Sequence, residues 1–210
     1  MVGGATNFLI ELAGGRRRRD AEISLEEMDE SNLVITDVPT SRIVWGERMT
    51  SVGHNLSREI LRLRPDINAT IHVHDDAVLS LYSSGVEPEF KVLSLDPPFV
   101  LGKPVHFVPA HVDVEADVSS VADFVQNTNS VVLVGHGLTT FGRNVSEAYH
   151  RLNTLTAEVR RVLAAEQHAA VTGTRPAYRS QDEIEAMYRF AERIIYPTRT
   201  DHVMHEEAAE

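Results

Sequence analysis

The sequence predicts an α/β fold in which a central sheet is flanked by helices. Two observations lead to this fold class. Runs of β-type residues and amphipathic helical patterns follow one another along the chain, without the regular alternation of a parallel βαβ protein. The 210 residues include 42% hydrophobic and 24% charged residues, as in typical globular domains, and contain no internal repeat or linker. We therefore expect one domain over residues 1–210, with an irregular strand and loop at 1–20 and a frayed tail at 198–210.

Four β-type runs predict strands, and they lie at 7–10, 32–36, 69–74 and 130–134. The run 69–74 alternates strictly between two kinds of side chain, so one of its faces is apolar. After Ser130 the run 130–134 is entirely apolar, which is typical of a strand buried on both faces. We also expect short β-like stretches between 90 and 118, where four prolines interrupt the chain.

Helical patterns occur at 51–63, 77–82, 118–126, 144–173 and 180–196, with a short acidic turn at 23–30. Asp75 and Asp76 can cap the helix at 77–82. Asn144 and Glu147 have capping-box spacing at the start of the long helix. The residues of the last helix that we expect to face the core are Ile184, Met187, Ala191 and Ile194.

The composition limits the kinds of molecule that we expect the protein to bind. The chain has no cysteine and a formal net charge of −11, which excludes a disulfide scaffold and opposes a surface that follows nucleic-acid phosphates. No run approaches the ~18 apolar residues of a membrane helix, and the N-terminus lacks the apolar core of a signal peptide. We therefore expect a cytoplasmic protein with no nucleic-acid or membrane partner. Any transition-metal site must use imidazole and carboxylate groups.

Three of the ten histidines have geometric reasons to converge. His72 and His74 share one face of a strand and are about 6.5 to 7 Å apart at Cα. His136 directly follows a buried strand and stands between two glycines, which permit close approach of a ligand or another backbone. Each pattern alone also occurs on ordinary protein surfaces. Together they favour a catalytic divalent-metal site with three imidazoles and an open fourth position.

The residues around these histidines resemble the class II aldolase/adducin family. The resemblance covers about 25–196 and rests on Arg-Pro-Asp-Ile-Asn-Ala-Thr-Ile-His-Val-His at 64–74 and Val-Gly-His-Gly-Leu at 134–138. It implies a three-layer α/β/α fold with a nine-stranded, mostly antiparallel sheet, usually in a homotetramer with active sites between subunits. It also implies that His72, His74 and His136 hold a divalent ion, with zinc expected first and iron or manganese as alternatives.

The chain departs from this family where the family places its catalytic and phosphate-binding groups. The family's acid/base glutamate falls on Gly53, which cannot move a proton, so the neighbouring His54 is the catalytic candidate; the alternative is a surface residue at a helix start. Only Ser51 remains of the family's serine pair. Asn7 matches either the family's phosphate-binding strand start or the strand that follows it. Ser51 and Asn7 are therefore the candidate substrate-binding residues.

Three functions remain open. The first is a metal-dependent lyase that cleaves a carbon–carbon bond in a small hydroxylated carbonyl or sugar-acid substrate. Its proton would be moved by His54, by bound water or, as the resemblance implies, by a tyrosine of the last helix. Tyr196 is the first candidate for that tyrosine and Tyr188 the second, and a core tyrosine is the alternative. The second is other metal chemistry, as in a decarboxylase, a dehydratase or an Fe(II)-dependent oxygenase of a keto acid. The third, opposed by the three retained histidines, is a non-catalytic adducin-like interaction module.

Overall fold

A mixed sheet forms the centre of the fold. The computed structural model describes residues 2–3, 8–12, 29–47, 49–51, 53–85 and 87–195. In this part of the chain the sheet has eight strands in the order β4-β3-β2-β1-β5-β8-β7-β6, where the resemblance implied nine. The strands are β1 Val2–Gly3, β2 Phe8–Leu12, β3 Leu33–Asp37, β4 Ile43–Trp45, β5 Ala69–Val73, β6 His106–Val108, β7 Ser130–Leu133 and β8 Gly137–Gly142. Neighbours are antiparallel except for β6 and β7, which run parallel.

Six α-helices accompany the sheet in the described residues: α1 His54–Leu63, α2 Asp76–Tyr82, α3 Asp96–Leu101, α4 Val121–Phe124, α5 Val145–Thr172 and α6 Gln181–Ile195. The predicted caps form at two of them. The Asp75 carboxylate accepts hydrogen bonds from two backbone N–H groups in the first turn of α2. The Asn144 side chain accepts one at 2.9 Å from the Glu147 N–H of α5. No helix in the described ranges is long and apolar enough to cross a membrane.

Two apolar clusters, one on each face of the sheet, confirm the three-layer architecture. Val131 and Leu133 of β7 join a cluster that includes residues of α1 and α4. Val132, between them, joins a second cluster with residues of α2, α3 and α5. Because successive side chains of a strand point to opposite faces, β7 is buried on both sides, as its composition predicted.

The Arg-Pro-Asp sequence at 64–66 is part of the framework that holds the sheet. Arg64 is 2% exposed, and its guanidinium donates hydrogen bonds to the carbonyl oxygens of Val125 and Thr128 and to the Asn129 side chain. It also pairs with Asp66, which lowers the pKa of that carboxyl group. This buried side chain therefore joins the end of α1 to the loop that leads into β7.

Three expectations for the elements were incomplete or wrong. The segment 90–118 contains a short strand, β6, as expected, but it also contains helix α3, which was not expected; prolines in the first helical turn give up no hydrogen bond. Strand β8 was not predicted, since its Gly-Leu-Thr-Thr-Phe-Gly sequence has neither strict alternation nor a long apolar run. Ile194 of α6 is 58% exposed instead of buried, whereas Ala191 is fully buried as expected.

Candidate metal centre

The three predicted histidines converge at one end of the sheet. His72 lies on β5, and His74 follows the last residue of that strand. Strand β8 pairs with β5 so that Val73 lies opposite Leu138. This register places the loop between β7 and β8, which carries His136, beside His74. The ring centroids are 5.1 Å apart for His72 and His74, 5.3 Å for His72 and His136, and 4.9 Å for His74 and His136.

The glycines on either side of His136 serve different purposes. Gly135 has φ of +77°, a left-handed conformation that L side chains rarely adopt, and it turns the chain between the two strands. Gly137 leaves room for the histidines. A Cβ atom at position 137 would be 2.5 Å from the Val73 carbonyl oxygen and 2.9 Å from Cδ2 of His74. The close approach of β8 to β5 therefore requires a glycine at this position.

The His72 side chain is held in one orientation with one ring nitrogen available. Its Nδ1 lies 2.9 Å from Oγ1 of Thr139, which is fully buried and lies opposite His72 on β8. Its Nε2 is buried and has no hydrogen-bond partner among the described residues. Burial, with smaller contributions from His136 and His74, lowers the pKa of His72 to about 4. The imidazole is therefore neutral at neutral pH, which is the form that binds metal ions.

The donor set fits a divalent ion. One ring nitrogen from each histidine lies within 4.8 Å of the others. Tetrahedral coordination at about 2.05 Å requires nitrogens about 3.3 Å apart. His74 and His136 are exposed, so their side chains have room to rotate toward a shared ion. On the third ring, that of His72, the buried nitrogen without a partner among the residues the structure describes is the feature that a bound ion would explain.

A carboxylate stands next to one of the three imidazoles, that of His136. Glu115 is 6% exposed, and its Oε2 lies 3.6 Å from Nδ1 of His136, beyond hydrogen-bond distance. Its Oε1 would be 2.9 Å from a Cβ atom at Gly53. Burial and nearby Asp113 raise the pKa of Glu115, whereas His136 and His74 act in the opposite direction; the net effect is upward.

The backbone around Glu115 is fixed by neighbouring groups. Asn55, in the first turn of α1, donates a hydrogen bond to the Glu115 carbonyl at 2.9 Å. The Asp113 carboxylate accepts hydrogen bonds of 3.0 Å from the N–H groups of Glu115 and Ala116. Val114, which lies between Asp113 and Glu115 in the chain, belongs to the core and is 1% exposed. Glu115 and His136 line a cavity of about 210 Å³ that offers room for a small ligand.

The other predicted site residues remain predictions. His54 begins α1 and is 3% exposed rather than on the surface, with Nε2 2.9 Å from Oγ of Ser41. Ser51 is half-buried before α1, and its carbonyl accepts a 3.2 Å hydrogen bond from the N–H of His54. Asn7 and Tyr196 lie outside the described residues. Tyr188 lines a different cavity with Arg64 and Lys103, and burial raises its pKa.

Two residues of the centre were not predicted from the sequence. Glu115 lies in an acidic loop, and no local pattern brings it to His136 or Gly53, because that proximity arises from packing of the loop on α1. Thr139 belongs to the strand that was not predicted. The signal that could have found it is the pairing of β8 with the strand of His72, which places Thr139 opposite that histidine.

Comparisons with known proteins agree with this architecture. Residues 20–162 match the model of the "Class II Aldolase and Adducin N-terminal domain". A methylthioribulose-1-phosphate dehydratase of Enterobacter sp. (strain 638) is 30% identical over 157 residues, which cover 66% of this chain and 76% of the relative. An L-fuculose phosphate aldolase of Methanocaldococcus jannaschii is 27% identical over 144 residues, which cover 68% of this chain and 70% of the relative. A solved L-fuculose 1-phosphate aldolase shares the fold with a TM-score of 0.66 and 20% identity, over 80% of this chain and 76% of that one. This chain therefore belongs to the class II aldolase and adducin family.

Proposed function

We propose that the protein is a divalent-metal-dependent lyase that cleaves a carbon–carbon bond in a small hydroxylated carbonyl compound. The observation that carries this proposal is the convergence of three imidazoles, one of which presents a buried Nε2 with no hydrogen-bond partner in the described part of the chain. His72, His74 and His136 would hold the ion, and zinc is the expected one. A divalent cation bound there supplies Lewis acidity to a carbonyl oxygen of the substrate.

The protein side chains contribute positioning and a shaped surface. Thr139 fixes the ring of His72, and Gly137 lets β8 approach closely enough for His136 to join the other two rings. Glu115, Val112 and Val114 also line the cavity beside His136.

A test is to measure metal content and carbon–hydrogen exchange on the same samples. We expect purified protein to contain about one equivalent of zinc, and to exchange the hydroxymethyl protons of dihydroxyacetone or its phosphate in D₂O, followed by NMR. Addition of a short aldehyde should yield a carbon–carbon bonded product. His72→Ala, with an unchanged circular dichroism spectrum, should lose both metal and exchange. Metal-loaded protein that exchanges neither ketone would contradict the lyase proposal.

A second candidate, dehydration, is favoured by the 30% identity with a sugar-phosphate dehydratase. Dehydration and aldol cleavage share the handling of a proton next to a carbonyl group, and they differ in whether hydroxide or a carbon fragment leaves. Loss of water from a β-hydroxy ketone, with no product from added aldehyde, would identify the dehydratase. Iron in the purified protein together with oxygen uptake on a keto acid would instead identify an oxygenase.

A further inference from the structure

We propose that Glu115 is the catalytic acid/base of this centre, and this inference rests on the lyase function proposed above. Its carboxylate is buried, reaches the imidazole of His136 at 3.6 Å and lines the cavity next to that imidazole. Glu115 is separate from the proposed metal ligands, because it lies in the loop after β6 and none of the three histidines comes from that loop.

Gly53 makes room for this carboxylate. A Cβ atom at position 53 would stand 2.9 Å from Oε1 of Glu115, closer than real Cβ contacts come, so any larger residue there would displace the carboxylate. The backbone of Gly53 has φ of −72°, which every L residue adopts readily. The glycine is therefore explained by the space that Glu115 occupies and not by backbone conformation.

The surroundings of Glu115 hold it in place without neutralising it. Asn55 and Asp113 bind its backbone atoms, at 2.9 Å and 3.0 Å, and leave the side chain to extend toward His136. No lysine or arginine pairs with the Glu115 carboxylate among the ion pairs of the described residues. A buried carboxylate that is anchored by its backbone and faces a cavity has the geometry of a group that exchanges protons with a ligand.

The proposed step is a proton transfer. The carbon–hydrogen bond next to the substrate carbonyl breaks, and the proton goes to an oxygen of Glu115. The electron pair of that bond forms the carbon–carbon double bond of an enediolate, and the carbonyl oxygen takes the negative charge. In the reverse direction Glu115 returns the proton to carbon, so in D₂O the substrate gains deuterium after the carboxyl proton exchanges with solvent.

The main test compares Glu115→Gln with the wild-type protein. The variant keeps the size of the side chain but cannot accept the proton, so we expect deuterium exchange into dihydroxyacetone or its phosphate to fall about 10²- to 10⁴-fold. Its metal content and its urea unfolding midpoint should match those of the wild type. Glu185→Gln, the same change on the exposed surface of α6, is the control and should retain full exchange.

A second experiment moves the carboxylate from position 115 to position 53 and asks whether exchange is regained. Glu115→Gly should lose exchange, and the double variant Gly53→Glu/Glu115→Gly, which offers a carboxylate to the same space from the residue before α1, should recover at least tenfold over Glu115→Gly. Gly53→Glu alone should be impaired because two carboxylates compete for that space.

Different outcomes contradict different claims. If Glu115→Gln exchanges within twofold of the wild type, or loses its metal, the acid/base role is wrong while the lyase function stands; loss of metal would make Glu115 a ligand. A folded, metal-loaded double variant with no recovery also opposes the acid/base role. If the wild-type protein itself shows no exchange, both the lyase function and the role of Glu115 are rejected.

Discussion

Replacement of Gly137 by alanine should disrupt the metal centre more than it disrupts the fold. The added Cβ atom would stand 2.5 Å from the Val73 carbonyl oxygen, and ordinary contact begins at 3.4 Å, so β8 and β5 must separate locally by about 0.9 Å. The same atom would be 3.3 Å from Cε1 of His72 and 2.9 Å from Cδ2 of His74. Metal–ligand distances tolerate about 0.2 Å. The required backbone movement exceeds this tolerance, so the histidine side chains would have to rotate further to reach coordination distances.

The expected costs can be separated by two measurements. Overpacking at Gly137→Ala should lower the free energy of unfolding of the metal-free protein by about 1–3 kcal/mol, measured by urea denaturation with a chelator present. Zinc affinity, measured by competition with a chromophoric chelator, should fall by at least tenfold, or about 1.4 kcal/mol. Gly173→Ala is the control, because no atom of the described ranges lies within 4 Å of its Cβ position. It should cost stability through its φ of +71° and leave zinc affinity unchanged.

Unchanged zinc affinity in Gly137→Ala would refute the reasoning, because it would mean that the close approach of β8 to β5 is not needed for the three rings to meet. An equal loss of affinity in Gly173→Ala would also refute it, since the effect would then come from global destabilisation.

Two further predictions concern His72. Thr139→Val removes the hydroxyl that binds Nδ1 of His72 and should lower zinc affinity 10- to 100-fold, measured by titration calorimetry. Thr139→Ser keeps the hydroxyl and should bind zinc with an affinity near that of the wild type. Equal zinc affinities for all three proteins would oppose an orienting role of Thr139. In the metal-free protein, the pKa of His72 is about 4 in the folded state and about 6.5 in the unfolded state. Between these pH values the unfolded chain binds more protons than the folded one. The free energy of unfolding therefore falls as the pH falls from 6.5 toward 4. Over that window the contribution amounts to at most about 3 kcal/mol. Urea unfolding at pH 7 and pH 5 should show a smaller pH dependence in His72→Gln, and identical dependence in both proteins would contradict this prediction.

The sequence predicted those features of the centre that depend on local pattern. Strict alternation at 69–74 placed His72 and His74 on one face, and both take part in the cluster. The apolar run before His136 predicted a doubly buried strand, which β7 is. The capping residues Asp75 and Asn144 also act as predicted, because a cap depends on hydrogen bonds within one turn of the chain.

Features that depend on long-range packing were not predictable in the same way. Strand β8 completes the centre, yet its threonines and glycines carry no strong strand pattern, and it is defined by its pairing with β5 and β7. Glu115 reaches Gly53 only because its loop is bound to α1 through Asn55. The sequence did identify Gly53 as the position that lacks a proton-transferring side chain. It gave no means of finding which distant residue occupies that space.

His54 illustrates the difference between adjacency in sequence and adjacency in space. It was the catalytic candidate because it follows Gly53, and its ring Nε2 is engaged by Ser41. Glu115 is 62 positions from Gly53 in the chain, yet its carboxylate fills the space beside that glycine. A comparison of His54→Gln with Glu115→Gln in the exchange assay ranks the two candidates directly.

The central claim is that His72, His74 and His136 hold one divalent ion. The most direct test is an anomalous-scattering map, recorded above and below the absorption edge of the metal that elemental analysis identifies in the purified protein. We predict one peak, about 2.0 to 2.1 Å from one nitrogen of each of the three histidines. A metal-replete crystal with no peak between these rings, or with its peak at other residues, would contradict the claim.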